Sequence, residues 1–240
     1  MGLAGAALLE PDTLPKRRLG RTGVEVSLLG LGTSHFHRLE ENVCRSLVHT
    51  ALDLGVDYLD TARVYGHGQA ETLLGGILRS RRDRVILVSK TWQRSAEGAL
   101  HELFTSLRSL RTDYLDIWMI HDIRTESDWR ALESPRGVLA AARRARRQGW
   151  IRWIGLSAHR NAPLLARALE SFPIDVAMLP LTPVVPGEPL LMREVLTPAC
   201  RQNTGLVGMK VFSASAHSPE RHENAAALQA ALSFPIATAV

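Results

Sequence analysis

The sequence predicts a parallel (β/α)8 TIM barrel, and three observations carry that prediction. Short apolar runs alternate with longer amphipathic ones along the chain, the pattern of a parallel sheet with helical crossovers. Reactive side chains recur at the ends of consecutive apolar runs, at Asp60, Lys90 and His121, about thirty residues apart, which is one β-α unit. The rival, an open doubly wound sheet, calls for G-x-G-x-x-G after its first strand. Here that turn reads Gly30-Leu31-Gly32-Thr33-Ser34-His35 and lacks the third glycine. A length of 240 residues suits one such barrel.

The elements follow in order. Residues 1–15 hold small apolar residues without a clear period and are expected to form a flexible N-terminal arm, leaving 16–240 as the barrel domain. Strands are expected over residues 28–33, 56–62, 85–91, 114–121, 151–159, 176–181, 206–212 and 235–240. Several are unbroken Val, Ile and Leu runs, as needed where both faces are buried. Helices are expected over 40–54, 70–79, 97–110, 137–148, 162–171, 188–201 and 224–232. Leu47, Ala51 and Leu54 recur at helical spacing, as do Leu103, Leu107 and Leu110; Gly55 and Gly149 stand where helices should stop. The sequence reaches Val240 in or just after the eighth strand, so the expected barrel lacks the final helix and the loop after strand eight. Uncovered apolar surface on that strand would favour self-association.

Composition narrows the function. The hydrophobic fraction is 45% and the charged fraction 22%, ordinary for a globular protein. No apolar run approaches a bilayer span and no secretory signal opens the chain, so a cytoplasmic location and no membrane partner are expected. Two cysteines, Cys44 and Cys200, supply neither a disulfide framework nor a four-cysteine metal site, and no metal is expected. The net charge is +5, and its basic residues are nearly all Arg; the lysines are Lys16, Lys90 and Lys210. Arg143, Arg144, Arg146 and Arg147 form the densest basic cluster. Without interleaved aromatics or a binding motif they read as a solvated helix face rather than a nucleic-acid patch.

Active sites of such barrels lie at the C-terminal strand ends. The polar residues there are Asp60 and Tyr65, then Lys90, His121, Ser157 with His159, and Lys210. Asp60 alone could be a helix cap, Tyr65 a rim aromatic and His121 a core histidine. Lys90 is harder to place so, because it follows the buried run Val85-Ile86-Leu87-Val88-Ser89 and its ammonium needs a partner. Asp60 on the adjacent strand supplies one.

Asp60-Thr61-Ala62-Arg63-Val64-Tyr65-Gly66, Val88-Ser89-Lys90-Thr91 and Tyr114-Leu115-Asp116-Ile117-Trp118-Met119-Ile120-His121 resemble the signatures of the aldo-keto reductases. Arg18-Leu19-Gly20-Arg21-Thr22-Gly23 and Gly149-Trp150-Ile151-Arg152-Trp153-Ile154-Gly155-Leu156-Ser157 are similar to the same family. The resemblance implies NAD(P)H-dependent reduction of a small-molecule aldehyde or ketone, with NADP(H) in preference to NAD(H). It implies catalytic Asp60, Tyr65, Lys90 and His121, and cofactor contacts from Gly32, Thr33, Asp60, Ser157 and Lys210. Tyr65 would be the proton donor. An ordinary tyrosine pKa near ~10 is high for that work, and Lys90, held by Asp60, is expected to lower it. His121 would hold the carbonyl oxygen.

Three departures bear on the cofactor side. Ser157-Ala158-His159 keeps the Ser but not the Asn of a common Ser-Asn pair. Met178 stands where a Gln commonly binds the nicotinamide amide. The basic loop for the adenosine 2′-phosphate, carried by the family after strand eight, is expected to be missing. The loop at 213–218 offers hydroxyls and His217, with Arg221 beyond. Weak cofactor binding with little discrimination between NADPH and NADH is the expectation. The alternative function is a catalytically weak nucleotide-binding or interaction module on the same barrel.

Overall fold

The computed structural model describes residues 14–181, 188–212 and 221–240. It opens with an antiparallel hairpin, β1 (Lys16–Arg18) and β2 (Glu25–Ser27). The barrel strands follow: β3 (Leu31–Gly32), β4 (Tyr58–Asp60), β5 (Ile86–Thr91), β6 (Leu115–Ile120), β7 (Ile151–Ser157), β8 (Val176–Pro180), β9 (Gly205–Met209) and β10 (Thr238–Ala239). Between them run the helices α1 (Glu41–Asp53), α2 (Gln69–Ile77), α3 (Ala96–Leu110), α4 (Glu126–Glu133), α5 (Val138–Arg147), α6 (Ala162–Ser171), α7 (Glu188–Gln202) and α8 (Arg221–Leu232).

Among the described residues, β3 to β10 form one parallel sheet in sequence order. A parallel bridge between Leu29 and Ala239 brings its two ends together. Gly30 N–H donates to the Ala239 carbonyl at 2.8 Å, and Ala239 N–H to that of Leu28 at 2.9 Å. All eight expected strands and seven expected helices are present. The strands are shorter than their apolar runs, most clearly at β3 and β10, whose flanking residues Gly30, Thr33, Ala237 and Val240 still hydrogen-bond to neighbouring strands.

The core has two layers. Leu59, Leu87, Trp118, Ile120 and Leu156 point outward into the layer under the helices. Tyr58, Val88, Ile117, Met119, Val176, Met178 and Val207 point inward and fill the barrel. The hairpin closes the barrel's N-terminal end by adding Leu19 and Val26 to the inner cluster. Gly20 is required there: a Cβ at its φ of +50° would lie 2.2 Å from the Gly205 backbone nitrogen.

Three corrections to the sequence reading concern packing. The hairpin was not expected, since its strands span three residues each and pair only with one another. Helix α4 was not expected either; within its eight residues only Trp129 and Leu132 are buried, too few to set a period, and a Thr125–Asp128 capping box starts it. The third concerns β10, expected to carry an uncovered face. Ile236, Ala237, Thr238 and Ala239 are buried, because these mostly small residues sit between β9 and residues 28–30. Open apolar surface lies next door instead, in a groove of about 480 Å³ lined by Leu29, Leu31, Val43, Leu47, Ala51 and Leu54.

In α5, Val138, Leu139, Ala141, Ala142 and Ala145 are buried, while Arg144, Arg146 and Arg147 are exposed and Arg146 pairs with Asp175 at 3.1 Å. Among the described residues no helix is long and apolar enough to cross a membrane.

Candidate active site

Strand alternation builds the site. Asp60 is two residues after inward Tyr58, Lys90 two after inward Val88, and His121 two after inward Met119. A period of two therefore turns all three toward the barrel axis, at the C-terminal ends of three adjacent strands. Tyr65 opens the turn Tyr65–Gly68 that follows β4.

Lys90 is the hub. Its ammonium, 1% exposed, donates to Asp60 Oδ1 at 2.5 Å, to the Thr61 carbonyl at 2.9 Å and to the Tyr65 hydroxyl at 3.4 Å. Burial works to discharge it, but Asp60 and Tyr65 together hold the Lys90 pKa above its ordinary value. Burial pushes Asp60 upward against the pull of the same ammonium. The 2.5 Å contact is that of an ion pair.

Tyr65 corrects an expectation. Its pKa lies above the ordinary tyrosine value, not below it. Burial raises it most, Lys90 opposes, and the Asp60 carboxylate adds to the rise. Lost hydration of a tyrosinate outweighs one ammonium that is itself committed to Asp60.

His121 is 5% exposed and its ring meets those of Trp92, His159 and Tyr65 at centroid distances of 5.0, 5.8 and 6.1 Å. Burial, then Lys90, His159, Arg94 and Arg124, lower its pKa to about 2. It is therefore a neutral ring, and its Nδ1 is buried without a hydrogen-bond partner.

The supporting residues escaped sequence reasoning. Arg94 donates to the carbonyls of His121 at 2.8 Å, Asp122 at 3.1 Å and Trp92 at 3.1 Å, and to Asp128 Oδ1 at 2.5 Å. It ties the strand end bearing His121 to the loop bearing Trp92. Trp92 is 40% exposed at the rim, with the guanidiniums of Arg94 and Arg124 at 5.8 and 5.2 Å from its ring centroid. Its position two residues after Lys90 was the available signal.

Apart from Asp60, the expected cofactor residues lie on other strand ends. Gly32 is exposed, and a Cβ there would come 3.1 Å from Val240. Thr33 is buried and donates both its N–H, at 2.9 Å, and its hydroxyl, at 3.1 Å, to the Asp60 carbonyl. Ser157 Oγ accepts the Asp122 N–H at 2.8 Å, and Asp122 Oδ1 accepts that of His159 at 2.9 Å. Burial lowers the His159 pKa to about 4; Asp122 pulls the other way, while Lys210, Lys90 and Arg124 add to the fall. Met178 is buried in the inner cluster. Lys210 is exposed with a left-handed backbone, φ 62°. The loop at 213–218 lies outside the described residues, as do residues 1–13 of the expected arm.

A family model described as "Aldo/keto reductase family" matches residues 28–231. The chain belongs to the aldo/keto reductase family. Among curated relatives, the aldo-keto reductase YhdN of Bacillus subtilis (strain 168) is 36% identical over 117 residues, 42% of this chain and 35% of that protein. Methylglyoxal reductase YeaE of Escherichia coli (strain K12) is 32% identical over 139 residues, 55% of this chain and 46% of its own length. The chain thus spans less than half the length of either. The aldo-keto reductase AKR11C1 from Bacillus halodurans, in its holo form, shares the fold, with TM-score 0.79 and 22% identity over 94% of this chain and 85% of its own.

Proposed function

We propose that this chain reduces an aldehyde or ketone to an alcohol with NADP(H), and that Tyr65 supplies the proton. The observation that carries the reading is a buried lysine held between a carboxylate and a tyrosine hydroxyl at the mouth of the barrel. A hydride added to a carbonyl carbon moves an electron pair onto the oxygen, and that oxygen needs a proton. The Tyr65 hydroxyl gives it, and Lys90 stabilises the tyrosinate left behind until solvent returns the proton. Asp60 keeps Lys90 charged. Neutral His121 directs a ring N–H at the developing oxyanion.

A nicotinamide cofactor supplies the hydride when bound. The mouth fits such a group: Asp60 Oδ2 and His121 Nδ1 are buried polar atoms without partners in the chain. Gly32, Thr33, Ser157 and Lys210 are the residues assigned to hold it. Methylglyoxal reductase YeaE, by its name, acts on an aldehyde-bearing ketone, and it is among the relatives. Met178 favours a second reading, a nucleotide-binding module with little turnover, since its buried thioether is only a weak acceptor where an amide needs a partner.

NADPH oxidation followed by absorbance over a panel of aldehydes and ketones tests the proposal. Turnover that disappears in Tyr65→Phe supports it. Tight NADPH binding without turnover of any carbonyl would favour the second reading.

A further inference from the structure

The turn that carries Tyr65 is unusual. Gly66, His67 and Gly68 all have left-handed backbones, with φ of 55°, 52° and 93°. His67 pays a conformational penalty there that glycine would not, so something outside the turn must hold it. Arg63 does. Its Nη2 donates to the His67 carbonyl at 2.7 Å. A Cβ on Gly68 would fall 1.2 Å from that same nitrogen, so the guanidinium fills the space that glycine leaves.

The other end of Arg63 is anchored in the interior. Nη1 donates to Glu71 Oε2 at 2.7 Å and to Ser109 Oγ at 3.2 Å. Glu71 is fully buried, and its Oε1 accepts the Ser89 hydroxyl at 2.6 Å. Ser89 immediately precedes Lys90. A continuous polar tie therefore runs from the strand of Lys90 through Ser89, Glu71 and Arg63 to the turn of Tyr65. Its two ends, Ser89 and the His67 carbonyl, lie next to Lys90 and two residues from Tyr65, whose side chains meet at 3.4 Å.

We propose that Arg63 and Glu71 are positioning residues that set where the Tyr65 hydroxyl sits relative to Lys90. The catalytic part of this inference rests on the proposed reductase activity; the structural part does not. Glu71 would be stranded by loss of Arg63 alone, so the test removes both charges in Arg63→Ala/Glu71→Gln. The expected result is a fall in kcat of about tenfold to a hundredfold, with the carbonyl KM and NADPH affinity, read by tryptophan fluorescence, changed by about twofold or less. The control is Arg82→Met, which breaks a buried pair with Asp116 far from the turn. It should lose stability while keeping kcat per folded molecule.

A second readout needs no activity. The chain has three tyrosines, Tyr58, Tyr65 and Tyr114. With ring-carbon label, the Tyr65 resonance is assigned by its loss in Tyr65→Phe. It should shift in the double variant, with that of Tyr58 unmoved, and stay in place in Arg82→Met. If no carbonyl is reduced by the parent chain, the reductase reading fails and this resonance still decides the positioning claim. An unmoved Tyr65 resonance in the folded double variant would overturn the proposal. So would a kcat that falls only in proportion to the folded fraction.

Discussion

The two halves of the barrel mouth are built on different principles. Around the ends of β4, β5 and β6, charged groups are buried or partly buried and each is held by a partner on another element: Lys90 by Asp60, Glu71 by Arg63, Asp128 by Arg94. At the ends of β7 to β10, among the described residues, Ser157 is tied to backbone through the Asp122 N–H, while Met178 offers a hydrophobe. The first half spends much of its polar capacity inside the chain. A site that must aim a proton to within an ångström needs the first kind of wall.

The largest effect should come from breaking the first half at its hub. Lys90→Met leaves the Asp60 carboxylate buried without its partner. It should cost about 3–5 kcal/mol in denaturant unfolding and abolish turnover. Tyr65→Phe should separate those losses: turnover falls by about 10²–10⁴ while stability stays near that of the parent. Equal stability of the Lys90→Met protein would mean that Asp60 is not ionised in the folded state.

Acid should weaken the same half next. His121 has an ordinary pKa of 6.5 when unfolded and about 2 when folded. Below 6.5 the unfolded chain takes up a proton that the folded one refuses, so this contribution is complete above that pH and is lost as the pH falls toward 2. The slope is at most about 1.4 kcal/mol per pH unit for this group. His159, whose pKa is about 4 when folded, adds to the loss in the same direction but is more open to solvent. Urea unfolding at pH 7 and pH 5, compared between the parent and His121→Asn, measures it. Parallel profiles for the two proteins would show that His121 is not the buried neutral group described.

Smaller effects belong to the second half and to the outer surface. Ser157→Ala removes the acceptor of the Asp122 N–H and should destabilise by about 1–3 kcal/mol. If Ser157 also holds the nicotinamide amide, calorimetry should show weaker NADPH binding as well. A stability loss with unchanged affinity would confine Ser157 to its Asp122 contact. Leu47→Lys, in the open groove beside α1, should change stability by about 0.5 kcal/mol or less. It should also reduce any self-association seen by sedimentation; an unaltered profile would show that this apolar groove does not mediate contact between molecules.

Much of this was legible in the sequence. Continuous Val, Ile and Leu runs alternating with amphipathic segments determine a parallel sheet under helices, because each local pattern repeats the same burial demand. The thirty-residue recurrence of Asp60, Lys90 and His121 determines three reactive groups on adjacent strands, since one β-α unit advances the chain by one strand. Period-two alternation then places all three on the inner face. Only the tertiary structure decided the rest. That Arg63 reaches from one side of the Tyr65 turn to a buried Glu71, and that Arg94 caps the strand end of His121, depends on contacts between segments with no shared periodicity. The direction of the Tyr65 pKa was decided there too. A neighbouring lysine is visible in sequence, but the loss of water around the hydroxyl is a property of the assembled barrel, and here the loss of water is the larger effect.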